Sequence, residues 1–351
     1  AAYKALPDSA GATSYDALVG EACALVLFDL ALIGALPGDG VSVQPGTQAL
    51  PNLRSEAANL CMRPAPGCTS WVMRPGAVEL CGPDGRSVVI SLLEGGPQPG
   101  AVGPCEVTRP YHAIVPGVWL ATDDNNPLSD FEAHPDKAGN QLDLGGRPVS
   151  QWVGSLARCF ERVDRHLPDL AAELRLVGSL LVPVGYDPER HLSASYQEAI
   201  GLAYLTLHPN EMTMVEAVVH ELQHNKINAA FGFDPMLENA FWPLFSSPVR
   251  PDPRPLHGVV LAVHAFLPVA ALYRQMARDG DPLASNPSWW ARFEQIVAKN
   301  RQGMATLRDH ARPTPVGAAL IDEMQAIEEE FQSISWPPKG KADGWQETSR
   351  P

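Results

Sequence analysis

The chain has 351 residues, 45 % of them hydrophobic, enough for one large or two modest cores. Its 40 acidic against 26 basic side chains give a net charge of -14, which excludes the basic face that nucleic-acid phosphates require. The 34 prolines, about twice the usual share, imply many turns between short elements. In chain order, the text from Ser14 to Leu36 predicts one helix, with apolar residues near helical spacing. The apolar stretch Ala22 to Ile33 within it is broken by Asp29 and is shorter than a membrane span. Residues 37–70 read as loop, with one short helix around Ser55 to Cys61. Ala77 to Leu80 and Ser87 to Ser91 flank Pro83-Asp84-Gly85, a hairpin signal. Strand-like text covers 106–122, then Asp123-Asp124-Asn125-Asn126-Pro127 marks a turn.

Helical text runs from Val149 to about Leu174, followed by a buried strand from Leu176 to Val184. Ala194 to Leu207 carries one or two further strands. A helix is expected from Glu211 to Ala230, started by an Asn210 cap. A proline-rich crossing spans Gly232 to Pro255. Helices then cover Leu256 to Arg278, with a kink at Pro268, Pro287 to Ala311, and Pro315 to Gln332. This layout is α+β: an N-terminal mixed region over 1–150, a mainly helical catalytic region over 151–335, and a mobile tail over 336–351. The six cysteines lack Cys-x-x-Cys spacing and read as reduced thiols of a cytoplasmic protein. The absence of an initial Met reads as processing or excision from a longer chain.

The informative motif is His220-Glu221-Leu222-Gln223-His224. Histidines four apart share one helix face, so both imidazoles can hold one divalent ion with Glu221 nearby. Strand, short turn and metal-binding helix is the order of a zincin-like site. Two imidazoles leave the ion short of ligands, so a third is expected downstream. Asn225 to Phe231 offers no further histidine. The candidates are His257, at the start of the next helix, then Glu238, and His264 deeper in the same helix. His264 sits among Val263, Ala265 and Phe266, where a core histidine is the simpler reading. Arg250 and Arg254 frame the proline-rich crossing and are suited to gripping a carboxylate. Glu216, one turn before His220, is a candidate partner for a ligand imidazole.

The stretch from Ser195 to Ala270, with His-Glu-Leu-Gln-His and Arg-Pro-Leu-His-Gly at 254–258, resembles the HExxH-motif proteins of ribosomal-peptide (RiPP) biosynthetic clusters. The Asp-Asp-x-x-Pro turn at 123–127 adds to that resemblance. Such proteins occur alone or fused behind a radical S-adenosylmethionine domain, and members depend on iron(II) and 2-oxoglutarate to hydroxylate the β-carbon of a precursor-peptide residue. The resemblance implies His220, His224 and His257 as iron ligands, Arg254 or Arg250 as the grip on the far carboxylate of 2-oxoglutarate, and a precursor peptide as substrate. A radical S-adenosylmethionine enzyme, fused or separate, is the implied partner. The residues alone leave iron and zinc equally open. A zinc peptidase would use Glu221 as the base for a metal-bound water, and a metal-bearing binding module is the third reading. In either enzyme the strand from Ile200 to Thr206 is expected to pair with an extended peptide.

Overall fold

The computed structural model describes residues 11–44, 50–93, 96–124, 126, 142–247 and 252–332. The chain is a mixture of helix and strand that divides into two compact units. Residues 2–113 and 119–142 form the N-terminal unit; residues 143–351, with the hairpin tip Ile114–Val118, form the C-terminal unit. The sequence expectations at Asn125, Pro127, Arg250 and the tail 336–351 lie outside the described residues.

In the N-terminal unit, helix α1 (Gly11–Leu32) is followed by ten strands: β1 (Val41–Val43), β2 (Leu53–Ser55), β3 (Leu60–Pro64), β4 (Ser70–Arg74), β5 (Ala77–Cys81), β6 (Ser87–Ser91), β7 (Gly100–Ala101), β8 (Cys105–Thr108), β9 (Tyr111–Val115) and β10 (Val118–Ala121). Two four-stranded sheets, β1-β4-β5-β6 and β2-β3-β8-β7, enclose one core. Ala24, Phe28 and Ala31 of α1 are fully buried in it beside Trp71, Met73 and Leu80, so the Ala22–Ile33 stretch is a core helix face. The expected short helix at Ser55–Cys61 is a β2–β3 hairpin instead. Ser55 Oγ accepts from the Ala58 amide, and Asn59 takes a left-handed φ of 46° that a helix cannot use. Asn59 Oδ1 also accepts from the Tyr111 amide, pinning that turn to β9. The Asp-Gly hairpin forms as expected, with Gly85 at φ 76° in the β5–β6 turn.

In the C-terminal unit come α2 (Val149–His166), α3 (Pro168–Val177), β11 (Leu180–Tyr186), β12 (Ser193–Ser195), β13 (Leu202–Leu207), α4 (Glu211–Phe231), β14 (Leu244–Phe245), β15 (Arg254–Pro255), α5 (Leu256–Arg278), α6 (Pro287–His310) and α7 (Pro315–Gln332). Leu167-Pro168 divides the expected single helix, because Pro168 cannot continue α2 and starts α3. The sheet runs β12-β13-β11: β13 pairs parallel to β11 (Leu180 with Leu202) and antiparallel to β12 (Ser193 with Leu205, Ser195 with Ala203). All six β13 residues are buried, the mark of an interior strand covered on both faces. A peptide therefore cannot add to the Ile200–Thr206 strand, since both its edges are taken; β12 occupies the outer position. Helix α5 is long and apolar enough to cross a membrane by composition, yet 67 % of its most apolar window is buried in the fold. All six cysteines are free thiols.

Candidate metal centre

Helix α4 starts where Asn210 Oδ1 accepts the Met212 and Thr213 amides, satisfying donors that the first turn would otherwise leave unmet. Met214, Val215, Val218 and Leu222 are fully buried and seat the helix. Asn225, the residue after the motif, is a second anchor. Its Oδ1 accepts from the Gly201 amide at 2.7 Å and its Nδ2 donates to the Leu202 carbonyl at 3.2 Å, tying α4 to the start of β13. Gly178 fits closely under Leu222: a Cβ there would lie 2.9 Å from Leu222 Cδ1 and closer still to Cδ2.

This seating brings the motif histidines together. The Nε2 atoms of His220 and His224 stand 2.9 Å apart, with the rings 4.4 Å apart at 81°. Two nitrogens sharing one tetrahedral ion at 2.0–2.1 Å would be separated by about 3.3 Å, so a small adjustment of either ring admits an ion. Both Nδ1 atoms are buried and lack a hydrogen-bond partner among the described residues. Burial, together with the charge of the neighbouring His220, pushes His224 down to about 3, and burial also lowers His220. Both rings are thus neutral near pH 7, the protonation state that binds metal.

Glu221 faces a different neighbour. It is 3 % exposed, and Ser195 Oγ on β12 donates to its Oε2 at 2.7 Å. Burial works to raise its pKa, but the charges of His220 and His224 and the hydroxyls of Ser193 and Ser195 outweigh it, and the net direction is down.

Among the described residues no group of three His, Cys, Asp or Glu side chains gathers as a ready ion site. His257 lies in the first turn of α5 with its ring between Phe231 and Phe241, at centroid distances of 4.4 and 5.2 Å. Burial lowers it to about 4, and the charge of His224 is felt there too. His264 is buried, hydrogen-bonded to the Gln223 backbone and lowered to about 4 chiefly by burial, as a core histidine would be. Glu238 is exposed, and its amide donates to the Arg312 carbonyl. Arg254 pairs through Nε with Asp252 at 2.8 Å. Asp123, from the Asp-Asp turn, is buried in the N-terminal unit, where it accepts from Arg54 Nε at 2.5 Å and from Arg63 Nη2.

A cleft of about 490 Å³ opens beside His220. It is bounded by Ser193 of β12, Glu216 of α4, Phe266 and Tyr273 of α5, and Arg292 of α6. The Phe266 ring packs against the His220 ring at a centroid distance of 4.4 Å, inclined at 49°. Tyr273 and Arg292 carry no sequence signal linking them to the motif, since they stand 57 and 76 residues from the Glu216 they contact. No protein-family model matches the chain, and no curated protein matches it.

Proposed function

We propose that the C-terminal unit is an iron(II)- and 2-oxoglutarate-dependent hydroxylase acting on the β-carbon of a residue in a ribosomally made precursor peptide. The observation that carries the metal half of this reading is the convergence of the His220 and His224 Nε2 atoms to 2.9 Å beside a cleft of about 490 Å³. The strand–turn–helix order of β13 and α4, with β12 as outer strand, is what a zincin-like site would require. The choice of chemistry rests on the resemblance of the motif and of Arg254-Pro255-Leu256-His257-Gly258 to the HExxH proteins of peptide-modifying clusters.

Two members of the expected donor set converge. Neutral imidazoles at 220 and 224 would hold the ion, and the resemblance assigns the third place to His257. Iron with 2-oxoglutarate and dioxygen supplies the oxidant that replaces C–H by C–OH, releasing succinate and carbon dioxide. The chain itself contributes binding and exclusion of water. Phe266 packs tilted against the His220 ring and gives the cleft an apolar wall there. Ser195 holds Glu221 toward β12, where it braces α4 against the sheet. That engagement favours hydroxylation over the zinc-peptidase alternative, in which Glu221 must instead accept a proton from a metal-bound water. The outer edge of β12 is where an extended peptide could add, with Ser193 at the cleft mouth.

The test is incubation of the anaerobically loaded Fe(II) protein with 2-oxoglutarate, dioxygen and the precursor peptide encoded beside its gene. A product one oxygen atom heavier, formed with stoichiometric succinate, is expected. Peptide cleavage under Zn(II), without succinate under Fe(II), would overturn the proposal.

A further inference from the structure

The contacts between α4 and α5 fix which α5 residue stands level with the motif. Tyr273 donates to Glu216, one turn before His220. Phe266 meets His220 with ring centroids 4.4 Å apart. His264 is hydrogen-bonded to the backbone of Gln223. His257 meets Phe231, again with centroids 4.4 Å apart. Each step forward along α5 is thus matched by a step back along α4, so the two helices run antiparallel in a single register. In that register His264 stands within one residue of the level of His224. His257 lies seven residues away from His264, about 10 Å along the helix axis, with its ring between Phe231 and Phe241. That placement disagrees with the third ligand implied by the resemblance.

The His264 ring is also poised as a ligand is. It is 7 % exposed. Its bond to the Gln223 backbone favours the protonated ring, so an imidazole N–H donates there to a carbonyl oxygen. Nδ1 is buried and has no hydrogen-bond partner among the described residues, so the donor is Nε2. The tautomer is thereby fixed, and Nδ1 keeps a bare lone pair in the interior, where an unmet acceptor is costly. A metal-binding histidine is held in this way, its second nitrogen donating to a carbonyl or carboxylate. We infer that His264, through Nδ1, and not His257, supplies the third imidazole to an ion held by the Nε2 atoms of His220 and His224. Among the described residues the three rings do not stand as a ready ion site, so the inference requires the His264 side chain to move toward the pair as the ion enters. It rests on the reading of His220 and His224 as a metal centre, and it changes the ligand set within that reading.

The experiment is anaerobic titration of the whole protein with Fe(II) against a chromophoric chelator, for wild type, His257→Ala, His264→Gln and His220→Ala. Gln at 264 keeps an N–H for the Gln223 carbonyl, and the melting temperature of each metal-free variant checks the fold. His264→Gln should weaken Fe(II) by more than about 100-fold, beyond the roughly 10- to 100-fold that loss of an outer hydrogen-bond partner costs, and His257→Ala should bind as wild type does. In wild type loaded with Zn(II), histidine-selective nitrogen NMR should show one imidazole metallated at Nδ1 with its Nε2–H retained. A purely structural His264 would shift the melting temperature and give neither result. Wild-type affinity in folded His264→Gln, a loss in His257→Ala as large as in His220→Ala, or a wild-type spectrum without an Nδ1-metallated ring would overturn the inference. The spectrum needs no variant, so the test stands even if His264→Gln does not fold. Succinate release with peptide separates this inference from the hydroxylase reading. His264-dependent metal binding without succinate leaves the ligand assignment standing and sinks hydroxylation; iron binding and succinate release that both survive in His264→Gln do the reverse.

Discussion

Replacing Glu221 by Gln separates a bracing residue from a catalytic base. The side chain is 3 % exposed and accepts the Ser195 hydroxyl at 2.7 Å. Gln keeps the volume and one acceptor oxygen but loses the charge. The cost is that of one charge-assisted hydrogen bond, about 1.5–3 kcal/mol. For a unit of this size that lowers the melting temperature by roughly 2–4 °C per kcal/mol. Because Ser195, and not a reacting group, is the partner seen, turnover should fall by no more than about tenfold, whereas loss of a general base costs about 10²- to 10⁴-fold. The assay is succinate release in the presence of peptide, on protein whose metal content and melting temperature are measured in parallel. A loss beyond about a hundredfold, with metal retained and the fold intact, would refute the bracing role and restore Glu221 as a base.

Gly178→Ala tests the seating of α4: its backbone suits alanine, but the new methyl meets both Leu222 Cδ atoms, and urea denaturation should show a loss of about 1–3 kcal/mol. Trimming the neighbour as well, in Gly178→Ala/Leu222→Val, should recover part of it. Asp123→Asn removes the carboxylate shared by Arg54 and Arg63, while Arg54 keeps Glu21, so the N-terminal unit should lose about 1.5–3 kcal/mol; an unchanged melting profile would contradict the ion cluster. Burial holds His264 at about 4 in the folded chain, against about 6.5 when unfolded. The unfolded chain therefore takes up the proton first as pH falls. The contribution of His264 is complete above pH ~6.5 and drains between pH ~6.5 and ~4, reaching about 2 kcal/mol at pH ~5. In chelator-treated protein, His264→Gln should remove that share of the acid sensitivity; an identical pH dependence in wild type and variant would show that His264 titrates normally.

Helix α4 was legible because three signals agree on it: an Asn210 cap, an apolar run without a breaker, and a preceding strand. The bounds of α5 and of the β5–β6 hairpin were equally readable, from periodicity and from Asp84-Gly85. The Ser55–Cys61 segment misled because its composition permits a helix, while the deciding features are a hydroxyl bond to Ala58 and a left-handed Asn59. The pairing of β13 was hidden because strand order is a tertiary property: nothing in Ile200–Thr206 announces that Ser193–Ser195 covers its edge. The histidine pair could be read from local spacing, but the Glu216–Tyr273–Arg292 cluster is assembled from three helices. A polar helix position and a tyrosine in an apolar helix give no warning of such a meeting. Asn225 could have been suspected as an amide placed on the buried side of α4, where it must find partners.

The most direct test of the account is the metal content and X-ray absorption spectrum of protein reconstituted anaerobically with Fe(II), for wild type and for His220→Ala/His224→Ala. The account predicts about one iron per chain in wild type, with imidazole scattering from at least two ligands, and none above background in the double variant. Equal iron retention by the two proteins, or a wild-type spectrum without imidazole scattering, would contradict it.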